Sequence, residues 1–339
     1  MLATSSPVKQ NRIAALDFTK GALVLFMVLY HWVNYFIGLE WPYYPYLRFL
    51  SPSFIFITGF MVSSVYLSRQ RVESFDITKR LVTRGLKILL IFVLLNVGRI
   101  LALPVLSPGS SAFRQVDEQS IVAAFLTGNF TTKIVSFSIL VPIGYLLVFS
   151  GLLIPLFRRF RWTSYVVFAL FFLAASGLEL MELPSMNLEI LSIGMMGVVM
   201  GAIPMEKINK AVSHWFAIGI AYALYTVAIT RYGVPFLLQI AGTFLTLIVL
   251  YAIGLFSSEK SRVRGTIDLL GKYSLFGYIF QIVILQLLAA LFRHRGPDAY
   301  VLAGTFFGAF VLTIAGVEVL DRARHAAAGI DRAYKLVFN

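Results

Sequence analysis

Long apolar segments separated by short polar ones run through the whole sequence. A bilayer-spanning helix needs about 20 consecutive, mostly apolar residues, and ten such segments can be delimited by charge clusters or by proline and glycine. They lie at 18–37, 49–67, 83–103, 134–157, 162–180, 189–205, 214–230, 235–256, 273–292 and 299–320. The pattern predicts an all-α integral membrane protein of about ten transmembrane helices. We expect a single polytopic domain over 1–339, ending in a cytoplasmic, helical tail at 321–339.

The composition supports this assignment. Hydrophobic residues make up 59% of the 339 residues and charged residues 13%, with a mean hydropathy of +0.82. In a soluble domain about a quarter of the residues are charged. Because no long polar segment and no internal repeat is evident, any chemistry is expected to take place between the helices.

Lysine and arginine residues define an orientation. With both termini on the cytoplasmic side, 22 of the 29 basic residues fall in cytoplasmic segments, as the positive-inside rule requires. We therefore assign the net charge of +13 to topology and to contact with membrane lipids, and we expect no nucleic-acid partner. The lack of cysteine and the short loops favour a multi-pass protein of a bacterial inner (plasma) membrane.

Residue usage excludes several chemistries. The chain has no cysteine, which removes disulfides and thiolate nucleophiles. Its four histidines, at positions 31, 214, 294 and 325, lie in four different segments, so no metal site is predicted. No glycine-rich phosphate-binding motif follows a predicted strand.

The first apolar segment carries two ionisable groups on one face. Lys20 and His31 are eleven residues apart, close to three helical turns, which places them on the same side, about 16 Å apart along the axis. Asp17 joins this face below Lys20, and Asn34 and Tyr35 continue it above His31. An ionisable residue near the bilayer midplane is costly unless it faces protein or water. His31 is therefore a functional candidate, and a structural hydrogen bond to a neighbouring helix is the alternative.

This arrangement suggests separate roles for Lys20 and His31. Lys20 at the cytoplasmic mouth can hold an anionic cosubstrate, while His31, deeper in the membrane, can take a proton from a hydroxyl or amine. Arg80, Arg84 and Lys87 share one face of the third segment and would attract phosphates. The simpler alternatives are headgroup contact for Lys20 and the positive-inside rule for the other three.

An aromatic, proline-rich loop at 38–49 follows the first segment on the outer side. Trp41 and Tyr44 of this loop offer a platform for a sugar ring, next to Asn34 and Tyr35 at the end of the segment. An aromatic belt at the membrane interface is the alternative interpretation.

The stretch RIAALDFTKGALVLFMVLYH resembles the N-terminal signature of the acyltransferase 3 family of membrane-bound acyltransferases. That signature has an arginine, a Leu-Asp pair, a basic residue with glycine, and a histidine eleven positions after the basic residue. Here these are Arg12, Leu16-Asp17, Lys20-Gly21 and His31. Less specific likeness is found in FIFITGF (54–60), KRLVTRGLKIL (79–89), LSIGMMGVVMG (191–201) and LLGKYSLFGYIFQ (269–281).

The resemblance implies transfer of an acyl group, most often acetyl, from cytoplasmic acyl-CoA to a hydroxyl or amine of a sugar, glycan or lipid-linked acceptor. It implies acetyl-CoA or another acyl-CoA as cosubstrate and no metal. His31 would be the catalytic base or acyl carrier, aided by Lys20 and Asp17. By position, the resemblance places Arg80 and Arg84 near the CoA phosphates. From the residues themselves, we expect Arg12, Lys20 and Lys87 to bind CoA as well, and Asn34, Tyr35, Trp41 and Tyr44 to bind the acceptor.

Two departures from the family pattern concern titratable groups. Many members have arginine at the position of Lys20, and many have histidine at the position of Gln281, which cannot titrate. Direct attack by the acceptor and a ping-pong route through an acyl-histidine both stay open. The acyl group, the acceptor and a homo-oligomeric state are open as well.

A transporter or flippase is the competing interpretation. In such a protein His31 and Lys20 would bind a proton or an anionic solute. The sequence shows no inverted repeat and no matching pair of segments broken by glycine or proline, which transporters often have. A third interpretation, a noncatalytic scaffold, predicts that replacing His31 changes nothing.

Overall fold

A computed structural model describes residues 13–38, 41–67, 73–106, 118–129, 136–258, 261–292 and 298–338. Arg12, predicted above to bind CoA, lies outside these residues. The described residues form helices and connecting turns and contain no strand. The predicted all-α class is therefore confirmed.

The α-helices of the described residues are numbered along the chain. They are α1 (Ala14–Trp32), α2 (Leu50–Met61), α3 (Ser74–Leu106), α4 (Glu118–Leu126), α5 (Leu140–Arg159), α6 (Thr163–Leu180), α7 (Met186–Met200), α8 (Met205–Val212), α9 (Trp215–Tyr232), α10 (Phe236–Phe256), α11 (Arg262–Lys272), α12 (Ser274–Phe292), α13 (Ala299–Ala326) and α14 (Ala328–Phe338). Two of them continue directly into a π-helical turn: α1 into Val33–Ile37 and α2 into Val62–Leu67. Such turns are frequent at functional sites, and the first begins two residues after His31.

Eight helical segments of the described chain are long and apolar enough to cross a membrane, or up to nine if the bent pair α7–α8 forms one span. Each of the ten predicted apolar segments corresponds to one of these nine or to α9. In α9, an 18-residue helix, several tyrosines and threonines and Arg231 interrupt the apolar sequence. The chain is therefore an integral, multi-pass membrane protein, and the cytoplasmic position of its termini stays a prediction.

Several predicted boundaries differ from the structure, and two of the differences change the path of the chain. In the segment predicted at 134–157, the described residues begin at 136 and are helical from Leu140, because the chain turns at Phe137, whose φ of 63° is in the left-handed region. The segment predicted at 189–205 ends as a straight helix at Met200, and α8 leaves it at an angle of 106°. Polar residues cover one side of α8 and apolar residues the other, which is typical of a helix at a membrane surface.

Glycines bring the inner end of α1, the end that carries Lys20, into backbone contact with α11. A Cβ atom on Gly21 would overlap the carbonyl oxygen of Ile267, and one on Gly271 would overlap the carbonyl oxygen of Asp17. Glycines of α2 and α7 pack equally closely. Small residues permit such close approach between membrane helices, so two of the glycine-containing motifs in the sequence are explained by packing.

The C-terminal helix α14 folds back onto the bundle. Arg324 of α13 donates two hydrogen bonds to Asp331, of 3.0 and 2.5 Å. Its guanidinium carbon lies 3.9 Å from the ring centroid of Tyr334, which is a cation–π geometry. Phe338 meets Phe276 of α12 edge to face, with centroids 6.2 Å apart. The tail is therefore helical, as predicted, and is docked against α12 and α13.

Candidate active site

Asp17 and Lys20 form an ion pair at the inner end of α1. The carboxylate oxygen and the ammonium nitrogen are 2.5 Å apart, and the side chains are only 17% and 20% exposed. The pair forms because residues three apart in a helix share a face. An ammonium group has three donors, so Lys20 can hold Asp17 and still offer hydrogen bonds to a second anion.

Arg84 and Lys87 are half-buried cations on the inner part of α3, and Arg80, one turn before Arg84, is exposed. Within the part of the chain that the structure describes, neither Arg84 nor Lys87 forms an ion pair or a side-chain hydrogen bond. Burial raises the pKa of the Tyr334 hydroxyl to about 12, while the guanidinium groups of Arg324 and Arg84 act in the opposite direction. The predicted phosphate-binding face therefore lies within electrostatic reach of α14.

His31 lies between aromatic rings in the interior of the bundle. Its ring is 5.1 Å from that of Tyr30, edge to face, and 6.2 Å from that of Tyr278 of α12. Its Nε2 atom is buried and has no hydrogen-bond partner among the described residues. Leaving a buried polar atom unsatisfied costs about 1–3 kcal/mol, and such an atom calls for an explanation such as a catalytic role. The alternative is a structural histidine that hydrogen-bonds a neighbouring helix. Nε2 of His31 gives it no support, because this atom forms no such bond within the described residues.

A cavity of about 460 Å³ lies on the outer side of this histidine. It is lined by Tyr30, Trp41, Pro42, Tyr44, Pro45, Arg48 and Met186. The Tyr44 hydroxyl donates a hydrogen bond of 2.6 Å to the Tyr30 hydroxyl, and the two rings stack with centroids 5.2 Å apart. Tyr30 therefore contacts the cavity on one side and His31 on the other. The volume is within the range of small-molecule sites, about 300–1,000 Å³.

A chain of hydrogen bonds crosses the outer half of the bundle. Gln286 of α12 donates to the Tyr35 hydroxyl at 3.0 Å and to the Ser136 hydroxyl at 3.2 Å. Arg99 of α3 donates to the same Ser136 hydroxyl at 2.8 Å. The Asn96 side chain bonds the backbone of Ser136, at 2.9 and 3.0 Å. The network fixes the predicted acceptor residue Tyr35 and brings the positive charge of Arg99 into this part of the protein.

The structure thus joins some of the predicted site residues. Trp41 and Tyr44 line one cavity, whereas Asn34 is half-buried in the π-helical turn. Tyr30 and Gln286 were missed, because in the sequence they are single residues of apolar segments, without a motif around them. Within the described residues, no group of three or more histidine, aspartate or glutamate side chains is placed to hold a metal ion.

Fold and site together define a polytopic membrane protein with a buried histidine between an inner ion pair and an outer aromatic cavity. The sequence model of the acyltransferase 3 family, described as an acyltransferase domain, matches residues 13–320. Because the match covers most of the chain, the protein belongs to this family and is a membrane-bound acyltransferase. The resemblance of the first segment is thereby confirmed. None of the curated proteins and none of the solved structures compared with the chain matches it.

Proposed function

We propose that the protein transfers an acyl group, with acetyl as the first candidate, from cytoplasmic acyl-CoA to a hydroxyl or amine of a sugar, glycan or lipid-linked acceptor. His31 is the general base. The observation that carries the proposal is the buried, unsatisfied Nε2 of His31, which lies on α1 between the ion pair of Lys20 and the cavity behind Tyr30. A bacterial inner membrane is the proposed location.

The donor binds from the inner end. The phosphate groups of CoA are attracted by Arg84, Lys87 and the remaining donors of Lys20. Arg84 offers a guanidinium fork, and the two lysines act as point charges. Arg84 and Lys87 form no ion pair within the described residues. Lys20 and His31 are about 16 Å apart along α1. An extended pantetheine arm spans a distance of this order, so phosphates held at the inner end allow the thioester to reach His31.

The chemistry at His31 is a proton transfer coupled to acyl transfer. Nε2 takes the proton of the acceptor hydroxyl or amine as its oxygen or nitrogen attacks the thioester carbon. The new bond to the acceptor forms, the carbon–sulfur bond breaks, and the imidazolium returns the proton to the CoA thiolate. Asp17 holds Lys20 in place by the 2.5 Å ion pair, so it acts on the donor site through Lys20.

The acceptor occupies the outer cavity. Trp41 and Tyr44 present aromatic surface to it, together with Tyr30 and the guanidinium of Arg48. Aromatic rings stack on the apolar faces of sugars, and an arginine binds a phosphate or carboxylate of a lipid-linked or acidic sugar. For the reaction, the acceptor's hydroxyl or amine extends from this cavity past the ring of Tyr30 to within hydrogen-bond distance of Nε2 of His31.

Binding and turnover of labelled acetyl-CoA by the purified protein test the proposal. Wild type is expected to bind and consume acetyl-CoA, and His31→Ala is expected to bind it but not to turn it over. His214→Ala is the matched control, because His214 is exposed at the start of α9 and its loss should change neither property. Full turnover by His31→Ala would remove His31 from the mechanism, and a wild type that binds no acyl-CoA would contradict the proposal as a whole.

A further inference from the structure

Gln281 of α12 is a fully buried amide. Its relative exposure is 0%, and neither its amide oxygen nor its amide nitrogen has a hydrogen-bond partner among the described residues. Burying an amide without partners costs free energy, and apolar side chains of the same size avoid that cost. The unsatisfied amide of Gln281 therefore points to a ligand that forms hydrogen bonds with it when bound.

The packing of α12 on α1 fixes the direction of Gln281. One turn before it, Gly277 faces Val24, and a Cβ atom on Gly277 would lie 3.2 Å from a methyl carbon of Val24. One turn after it, Leu285 packs in one cluster with Trp32. Residues at i, i+4 and i+8 share a helix face. Gln281 therefore lies on the face of α12 that meets α1 between these two contacts and that also meets Val317 and Ala309 of α13.

His31 lies in the same interval of α1. It precedes the second of these contacts by one residue, and its ring is 6.2 Å from that of Tyr278, which lies one turn before Gln281. The rings of Phe54 and Phe137 surround Tyr278 on its other sides, with centroids 6.1 and 6.4 Å away. Near these aromatic rings, each of the two helices carries buried polar atoms without a hydrogen-bond partner among the described residues: Nε2 of His31 on α1 and the amide of Gln281 on α12.

We propose that Gln281 is a catalytic residue whose amide N–H binds the carbonyl oxygen of the acyl group during transfer. The inference rests on the proposed function and deepens it, since it assigns the acyl carbonyl a binding partner opposite His31. A neutral amide serves this purpose at every pH, because it does not titrate. It also suits an apolar surrounding, where a donor already in place is worth more than in water.

Acyl transfer in this proposal passes through an oxyanion that Gln281 stabilises. The acceptor oxygen forms a bond to the thioester carbon while its proton moves to Nε2 of His31, and the carbonyl π electrons move onto the carbonyl oxygen. The Gln281 N–H donates to that oxyanion. When the carbonyl re-forms, the carbon–sulfur bond breaks, the thiolate leaves with the electron pair, and His31 returns the proton to it. No oxidant, reductant or metal takes part.

Gln281→Met tests the assignment, because methionine has a similar length and no amide. We expect kcat for acetyl transfer to fall about 100- to 1,000-fold, as for other oxyanion donors, with an unchanged KM for acetyl-CoA. The melting temperature should stay the same or rise, since an unsatisfied buried amide is removed. Gln281→His keeps an N–H donor and should retain more activity than Gln281→Met. The matched control is Gln239→Met, a buried glutamine of α10 that is 7% exposed, which should keep wild-type kcat.

The outcomes separate the inference from the proposed function. If wild type transfers acyl groups and Gln281→Met keeps its kcat, the inference is wrong and the proposed function stands. If kcat and melting temperature of Gln281→Met fall together, the residue is structural and the inference is again wrong. If wild type transfers no acyl group from any acyl-CoA while still binding a transported solute, the proposed function and the inference fail together.

Discussion

The carboxylate of Asp17 lies 2.5 Å from the ammonium of Lys20, one helical turn along α1. The backbone of Asp17 is itself fixed, because its carbonyl oxygen packs directly against Gly271 of α11. The contact with α11 therefore fixes Asp17, and Asp17 in turn fixes the position of the Lys20 ammonium on α1. This relationship explains why an acidic residue, a basic residue and a glycine occur together in the first segment and a glycine recurs in the late one.

Replacing Lys20 with alanine should affect both stability and donor binding. The Asp17 carboxylate, 17% exposed, would lose this cation, so we expect the free energy of unfolding to fall by about 1–3 kcal/mol, between the values of exposed and fully buried pairs. The KM for acetyl-CoA should rise. Lys79→Ala is the control, because Lys79 is an exposed cation of α3. If Lys20→Ala and wild type have the same melting temperature and the same KM for acetyl-CoA, the pair neither stabilises the fold nor contributes to donor binding.

A methyl group at Gly271 should disrupt the contact between α1 and α11. The new Cβ of Gly271→Ala would overlap the backbone of Asp17, which cannot rotate away as a side chain can, so we expect a loss of about 1–3 kcal/mol or more. Gly265→Ala on the same helix meets nothing within 4 Å and should leave stability unchanged or raise it. Thermal unfolding in detergent compares the two, and equal melting temperatures would contradict the packing described above.

The hydroxyl of Tyr44 should matter for the acceptor and not for the donor. Tyr44→Phe removes the 2.6 Å hydrogen bond to Tyr30 at the wall of the outer cavity. The net worth of such a bond is about 0.5–1.5 kcal/mol, so the KM for the acceptor should rise about two- to tenfold, with the KM for acetyl-CoA unchanged. Tyr43→Phe, at a tyrosine that is 60% exposed, is the control. A change in the donor KM alone would place this cavity on the donor side.

Docking of α14 should weaken in acid. Hydrogen bonds from Lys335 and Arg324 lower the pKa of Asp331, so the carboxylate stabilises the docked helix above the unfolded pKa of about 4, and this contribution is lost as the pH falls through the lowered folded pKa. A fluorophore on Leu336→Cys, at a position 72% exposed in a chain without native cysteine, reports docking through its anisotropy. We expect constant anisotropy from pH 8 to 5 and a decrease below about 4.

Asp331→Asn provides the comparison for the acid experiment. The amide cannot form the ion pairs with Arg324 and Lys335, so the anisotropy should be lower at neutral pH and should change less in acid. An acid transition of the same size in Asp331→Asn would assign the effect to another group.

The sequence predicted those parts of the fold and site that depend on neighbours along one helix. Asp17 and Lys20 pair because they are three residues apart, and the apolar runs correspond to helices because a bilayer leaves few other structures for the backbone. The small residues of the sequence predicted close packing between helices. They did not specify that α1 packs against α11.

The long-range part of the site could not be predicted. Tyr35, Ser136 and Gln286 meet in one network although they are far apart in the chain, and nothing in the residues around them specifies that meeting. The pairing of Tyr30 with Tyr44 depends on how a proline-rich loop without regular periodicity folds back on α1. Gln281 could be noted as a departure from the family pattern, but its unsatisfied amide is visible only once the packing around it is known.

The most direct test of the central claim is sided transfer in proteoliposomes that hold the protein in one orientation, defined by a tag after α14. Labelled acetyl-CoA is supplied either to the side that carries the tag or to the opposite side, and label on the acceptor is counted. We predict transfer only when acetyl-CoA is on the side of the tag, where the proposed donor-binding residues Lys20, Arg84 and Lys87 lie. Equal transfer from both sides, or transfer only from the side of the Trp41 and Tyr44 cavity, would contradict the account.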